Sequence, residues 1–195
     1  MTPTTVAGRL TKAERREQLL DAAAQVLLER GVVGVTMEGV AAAAGVSKAL
    51  PYAHFENADA VLFAVYRRET ENLVARVEAA VDRSESGDLQ LRRAVAAFFD
   101  VVIERGALLA AFARSSIPAD LDQGQRLGHR YVGDLLKRTV GLSGPMRRVV
   151  ATMAFGAMWS AIESLSHRDA RRPVVEEAAY QFILAGVRAA ASQVP

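Results

Sequence analysis

The chain has 195 residues, 51% hydrophobic and 24% charged, with a formal net charge of +2 and no cysteine. That balance supports a folded core and excludes long-range disorder, while length alone allows one or two compact units. It also excludes a disulfide framework, a thiolate metal site and a membrane span, because no apolar run approaches the roughly 18 to 20 residues a bilayer requires.

The first residues, MTPTTVAGRLTKAERRE, are polar where a secretory signal would be apolar, so export is not expected and the location predicted is cytoplasmic. Thr11 followed by Glu14 makes a capping box before a helix with Leu19, Leu20, Ala23, Val26 and Leu27 on one stripe, ended by Gly31. Thr36 caps the next helix, Val40 and Ala44 face inward, and Gly45 supplies the turn. Ser47 then caps a short helix that finishes near Phe55. Two short helices joined by a glycine turn form the pattern of a helix-turn-helix, whose second helix lies in the DNA major groove while the first crosses the backbone.

Asn57 caps a long helix carrying Val61, Leu62, Val65, Leu73, Val77 and Val81, which reaches the loop from Ser84 to Asp88. Asp88 caps a helix with Leu91, Val95, Phe98, Phe99 and Val102 that stops near Gly106. A short helix around Leu108 to Arg114 follows, closed by the Ile117-Pro118 break. Leu121 to Val140 reads as helix weakened by Gly124, Gly128 and Gly133, each costing roughly 1 kcal/mol relative to Ala. Gly141, Ser143 and Pro145 give a stop, a cap and a start before a helix from Met146 to Ser166. Pro173, with Glu176 and Glu177 in the first turn, opens a last helix reaching about Ser192. No segment alternates as a strand does, so the fold predicted is all-α with roughly nine helices.

The series Arg16, Leu19-Leu20, Ala22-Ala23, Gly31, Thr36, Val40-Ala41, Ala44-Gly45-Val46-Ser47, Tyr52, His54-Phe55 and Leu62 resembles the amino-terminal DNA-binding domain of TetR-family transcriptional regulators. The resemblance covers about the first third of the chain. It implies an amino-terminal helix-turn-helix domain over 1–56, with an arm at 1–10, and a carboxy-terminal helical ligand-binding and dimerisation domain over 57–195. It further implies a homodimer on a palindromic or pseudo-palindromic double-stranded DNA operator, most simply a repressor released by a small-molecule effector. Three positions depart from the family pattern: Pro51 replaces an apolar residue in the second helix, Gly39 an acidic one in the first, and Ala58 a lysine at the start of the connecting helix.

The residues expected to meet DNA are Thr36, Met37 and Glu38 where the first helix begins, and Ser47, Lys48, Ala49, Leu50, Tyr52 and His54 in the second. A Ser47 cap would leave backbone N–H groups for a phosphate, and Lys48, Tyr52 and His54 have the reach to touch phosphates or base edges. Val46, Leu50 and Phe55 would lock the helix onto its scaffold. His54 suits equally a buried histidine holding that helix. Arg9, Lys12, Arg15 and Arg16 offer an electrostatic arm, which Glu14 and Glu17 nearly cancel.

Beyond the reader, Phe98, Phe99, Phe112, Tyr131, Met153, Met158 and Trp159 concentrate the larger apolar side chains. They either line a cavity for an apolar or aromatic effector, with Glu163 and Arg114 as polar anchors, or fill a core. The last two helices are rich in small residues. Ala154, Ala157, Ala161, Ala178, Phe182, Ala185 and Ala189 are the expected dimer contacts, against ordinary packing within one chain. Catalysis finds no support. Glu163 and His167 are a helix-end pair, Gly141-Leu142-Ser143-Gly144 lacks the lysine of a phosphate loop, and no cofactor is expected. Two alternatives stay open: a DNA-binding regulator without an effector, and a small-molecule binding module with a weakened reader.

Overall fold

The computed structural model describes residues 10–113, 121–165 and 171–192, with side chains left undescribed at 107, 109–113 and 121–125. Among the described residues there are eight helices and no strand: α1 Lys12–Gly34, α2 Met37–Ala44, α3 Ala49–Tyr52, α4 Ala58–Ala80, α5 Gly87–Ala113, α6 Leu121–Val140, α7 Gly144–Ser164 and α8 Arg172–Ala191. The chain divides into two compact units, Met1–Tyr66 with Ala110–Ile117, and Arg67–Leu109 with Pro118–Pro195. The first division falls inside α4, past the expected boundary at 56.

In the first unit the capping signals act as read. Thr11 Oγ1 accepts the Glu14 N–H while the Glu14 carboxylate accepts the Thr11 N–H, which closes the capping box of α1. Gly31, at φ +69°, kinks the end of α1, a conformation in which a Cβ would be strained. Leu19, Leu20, Ala23, Val26 and Leu27 of α1, Val40 and Ala41 of α2, and Val61, Leu62 and Val65 of α4 are all buried in this unit. Asn57 caps α4 through an Oδ1 that accepts the Ala60 N–H at 2.8 Å.

The second unit packs around Phe98, Phe99, Leu135, Leu136, Leu142, Ile183, Leu184 and Val187. Three expectations need correction here. The helix expected to stop near Gly106 continues to Ala113, so α5 absorbs the separate helix around Leu108 to Arg114 and the count falls to eight. Leu108 is buried two residues past the glycine, and that burial outweighs the roughly 1 kcal/mol of a mid-helix glycine. The cap of α5 is Ser86, whose Oγ accepts the Leu89 N–H, while the Asp88 carboxylate pairs with Arg188. Ser143 occupies the cap position of α7 with no side-chain hydrogen bond, and the Pro145 start carries that joint. Arg114, the Ile117-Pro118 break and His167 lie outside the described residues.

Candidate functional site

The reader is a four-residue helix held against a three-helix scaffold. Gly45, at φ +65°, ends α2 and turns the chain, and its N–H donates to Ala42 while the Val46 N–H donates to Ala41. Gln18 braces that turn: its Nε2 donates to the Ala44 carbonyl at 3.0 Å, and its Oε1 accepts from Arg15 at 2.6 Å. Phe55 is buried, and the Arg16 guanidinium lies 4.6 Å from its ring centroid. Arg15 and Arg16 therefore brace the reader. Lys12 is exposed, and Arg9 lies outside the described residues.

Pro51 sets the shape of α3. It is buried within the first turn, where an N–H would have no intrahelical partner. The Leu50 N–H donates to Ser47 at 3.0 Å across three residues, and the Pro51 carbonyl accepts from both His54 and Phe55, which closes the helix after Tyr52. The cap position falls on Lys48, with no side-chain hydrogen bond. Ser47 serves the first turn through its backbone carbonyl and forms no side-chain cap, which corrects the expected hydroxyl cap.

Thr36, Glu38, Ser47, Lys48, Ala49 and Tyr52 are exposed, and Leu50 is half-buried. Thr36 Oγ1 accepts the Gly39 N–H at 3.0 Å, so its hydroxyl is committed to capping α2. A side chain at Gly39 would start 3.1 Å from that oxygen and 3.2 Å from the Gly34 carbonyl, which accounts for glycine there. Met37 is only 5% exposed and belongs to the core, so its expected DNA contact is corrected. Tyr52 is 55% exposed, and its hydroxyl donates to Glu38 at 3.4 Å. That pairing links the two helices and was not foreseen. His54 is half-buried, with Nδ1 out of reach of solvent and without a partner, which favours its scaffold reading.

In the second unit, Phe98, Tyr131 and Met158 line an apolar slit of about 60 Å³, together with Leu73, Val77, Leu135 and the unforeseen Phe155. Burial raises the Tyr131 hydroxyl to about 12, and its oxygen has no hydrogen-bond partner. Phe99 is fully buried behind the slit as core. Trp159 packs edge-on against Phe98 at 5.6 Å and Phe155 at 6.2 Å, bordering the slit without lining it. Met153 is 63% exposed and Glu163 is exposed, so neither belongs to that lining, and the Phe112 side chain lies outside the described residues. Of the expected dimer contacts, Ala178, Phe182, Ala185 and Ala189 are exposed and Ala157 and Ala161 half-buried. Ala154 is 7% exposed and packs within its own chain, which corrects its assignment to the interface. Among the described residues no group of three or more His, Asp or Glu could hold a metal ion, and no helix is long and apolar enough to cross a membrane.

Residues 19–65 match the family model described as bacterial regulatory proteins, tetR family. The HTH-type transcriptional activator FasR of Mycolicibacterium smegmatis is 41% identical over 95 residues, which cover 49% of this chain and 43% of that protein. The chain thus spans less than half the length of that relative. The HTH-type transcriptional regulator BetI of Brucella canis is 27% identical over 84% of this chain and 74% of its own. Among solved structures, the fatty acid degradation regulator FadR of Bacillus halodurans superposes with a TM-score of 0.75 at 18% identity, covering 90% of this chain and 97% of that one. A tetR-family regulator of Streptomyces coelicolor gives 0.74 at 20% identity, covering 95% and 92%. The fold is that of these regulators, and the proteins matched are transcriptional regulators, not enzymes.

Proposed function

We propose, because residues 19–65 match the tetR family of bacterial regulatory proteins, that the chain is a homodimeric, operator-binding transcriptional repressor released by a small apolar or aromatic effector. The observation that carries DNA binding is the exposed row of Ser47, Lys48, Ala49 and Tyr52 standing on a buried Pro51 and Phe55. It presents one cation and one phenol to a groove or phosphate, with the backbone locked beneath. The exposed face of α7 and α8, with Phe182, Met153, Val174 and Val149 each more than half exposed, supports self-association. The slit at Phe98, Tyr131 and Met158 supports an effector, and its hydrocarbon lining favours apolar groups there.

Binding of the purified chain to DNA flanking its own gene, measured by gel shift at low salt, tests the reading. A folded dimer that binds no palindromic site there removes it. A second reading, a regulator with no effector, is favoured by one observation: about 60 Å³ is far below the roughly 300 to 1,000 Å³ of small-molecule sites. A panel of apolar compounds that neither changes Trp159 fluorescence nor releases the operator decides for it. A reporter fused to the bound promoter reads the direction of control, since FasR bears the name of an activator.

A further inference from the structure

Between α4, α6 and α7 an open groove of about 710 Å³ is lined by Arg67, Arg126, Arg130, Arg147 and Arg148. Five guanidiniums there face two carboxylates, Glu71 and Asp134, although the whole chain carries only +2. The carboxylates are already taken up, Glu71 by Arg67 at 3.6 Å and Asp134 by Arg147 at 3.1 Å. Arg130 and Arg148 are both exposed and make no ion pair among the described residues. Like charges gathered in one concavity repel each other unless an anion relieves them.

The same three helices continue into the apolar slit. On α6, Leu127 and His129 line the groove while Gly128 lines the slit; on α7, Ala151 and Thr152 line the groove while Ala154 and Phe155 line the slit. Phe155, in the slit lining, lies against α6 where the two linings meet along the chain. Its ring lies so close to α6 that a Cβ on Gly128 would sit 2.5 Å away, and its centroid is 4.7 Å from the His129 ring. Phe155 thus touches both a residue that lines the slit and one that lines the cationic groove.

We propose that groove and slit form one site for an amphipathic effector, whose phosphorylated head lies on Arg130 and Arg148 and whose hydrocarbon chain enters the slit when Phe155 turns aside. This rests on the effector reading above and narrows it from an apolar molecule to an anionic amphiphile. The head is a phosphate because guanidinium forks match phosphate oxygens, and the spread of arginines exceeds what one carboxylate engages.

Calorimetry and Trp159 fluorescence on the full chain, with dodecyl phosphate below its micellar concentration, dodecanol, dodecanoate and inorganic pyrophosphate, test it. Dodecyl phosphate is expected to bind at least about tenfold more tightly than the other three. An Arg130→Gln, Arg148→Gln double variant is expected to lose about that factor for dodecyl phosphate and to keep its dodecanol affinity. Phe155→Ala is expected to tighten dodecanol binding without changing pyrophosphate binding. Equal affinity for dodecyl phosphate and dodecanol, or a double variant that binds dodecyl phosphate as the parent does, overturns the groove's role and leaves the effector reading standing if dodecanol still releases the operator. Pyrophosphate binding as tightly as dodecyl phosphate reduces the groove to a surface anion patch and also overturns the proposal. Failure of all three dodecyl probes to bind removes the proposal, and operator release by an uncharged aromatic compound would then show that the effector reading survives without it.

Discussion

Lys48 is the cation at the cap position of α3, exposed at the start of the reader and without a side-chain cap hydrogen bond. Lys48→Ala is expected to weaken operator binding and to lower the slope of log affinity against log salt by about one phosphate per half-site, with helicity and the unfolding midpoint unchanged. Binding titrations at several salt concentrations check this, and a loss of helicity would place the side chain in the scaffold instead. Tyr131 makes the opposite case, a polar atom with nothing to bond. Its unpartnered, buried hydroxyl predicts that Tyr131→Phe is neutral or stabilises by up to about 1 kcal/mol in urea unfolding. Its raised value adds a sign: the folded chain keeps the phenol proton when the unfolded chain has lost it. Stability therefore falls as pH climbs from 10 through about 12, and the Phe variant lacks that component. Residue types were legible where local chemistry sufficed, as at Thr11, Thr36, Gly45 and Asn57, whose partners lie within three or four residues. Met37 and Ser47 were not, because burial of the one and the absence of a side-chain cap at the other depend on packing and backbone detail beyond the local sequence.

At the scale of elements, α5 and α8 are tied by Arg92, whose guanidinium pairs with Glu177 and lies 3.9 Å from the Tyr180 ring centroid. The hydrogen bond from Arg92 holds the Glu177 carboxyl at about 2, below its ordinary 4.5. A lowered carboxyl contributes stability present above pH 4.5 and lost as pH falls towards 2. Arg92→Met is expected to flatten that acid loss, seen as a smaller drop in urea midpoint between pH 6 and pH 3; an unchanged acid slope would assign the loss to other carboxylates. The exposed position of the pair keeps the effect small. Packing of α6 on α7 depends on a glycine in the same way that α3 depends on a proline. Gly128→Ala is expected to push the Phe155 ring aside and to cost about 0.5 to 1.5 kcal/mol in unfolding measurements, because its Cβ meets the ring edge and not open space. The sequence placed α6 correctly despite its glycines but gave no reason for Gly128, since that reason sits on α7, some 27 residues away by the numbering of Phe155. The break expected at Gly106 failed for the converse reason, a tertiary burial of Leu108 that a local propensity scale does not contain.

For the whole molecule, the proposed mechanism requires two readers on one particle, and the surface available for that is the outer face of α7 and α8. Phe182 is 66% exposed in the single chain, flanked along α8 by exposed Ala178, Ala185 and Ala189, while α7 offers exposed Met153 and Val149. Together with Phe182, Met153, Gly156 and Ser160 line a shallow depression of about 460 Å³, room for a large side chain from a second copy. Small residues around one aromatic let two helix pairs approach closely, and an interface core of this kind tolerates no unpaired charge. Phe182→Asp is therefore expected to shift the sedimenting species from twice the chain's 21.0 kDa to once that mass at micromolar concentration. Because the side chain is exposed before association, helicity at matched concentration is expected to persist. Operator affinity is expected to fall by about 10² to 10⁴, the factor by which linked half-sites exceed single ones. The two readouts separate the possible failures. A variant that stays dimeric removes this face from the interface, whereas a monomeric variant with parental operator affinity shows that dimer geometry does not set DNA recognition and that each reader acts alone.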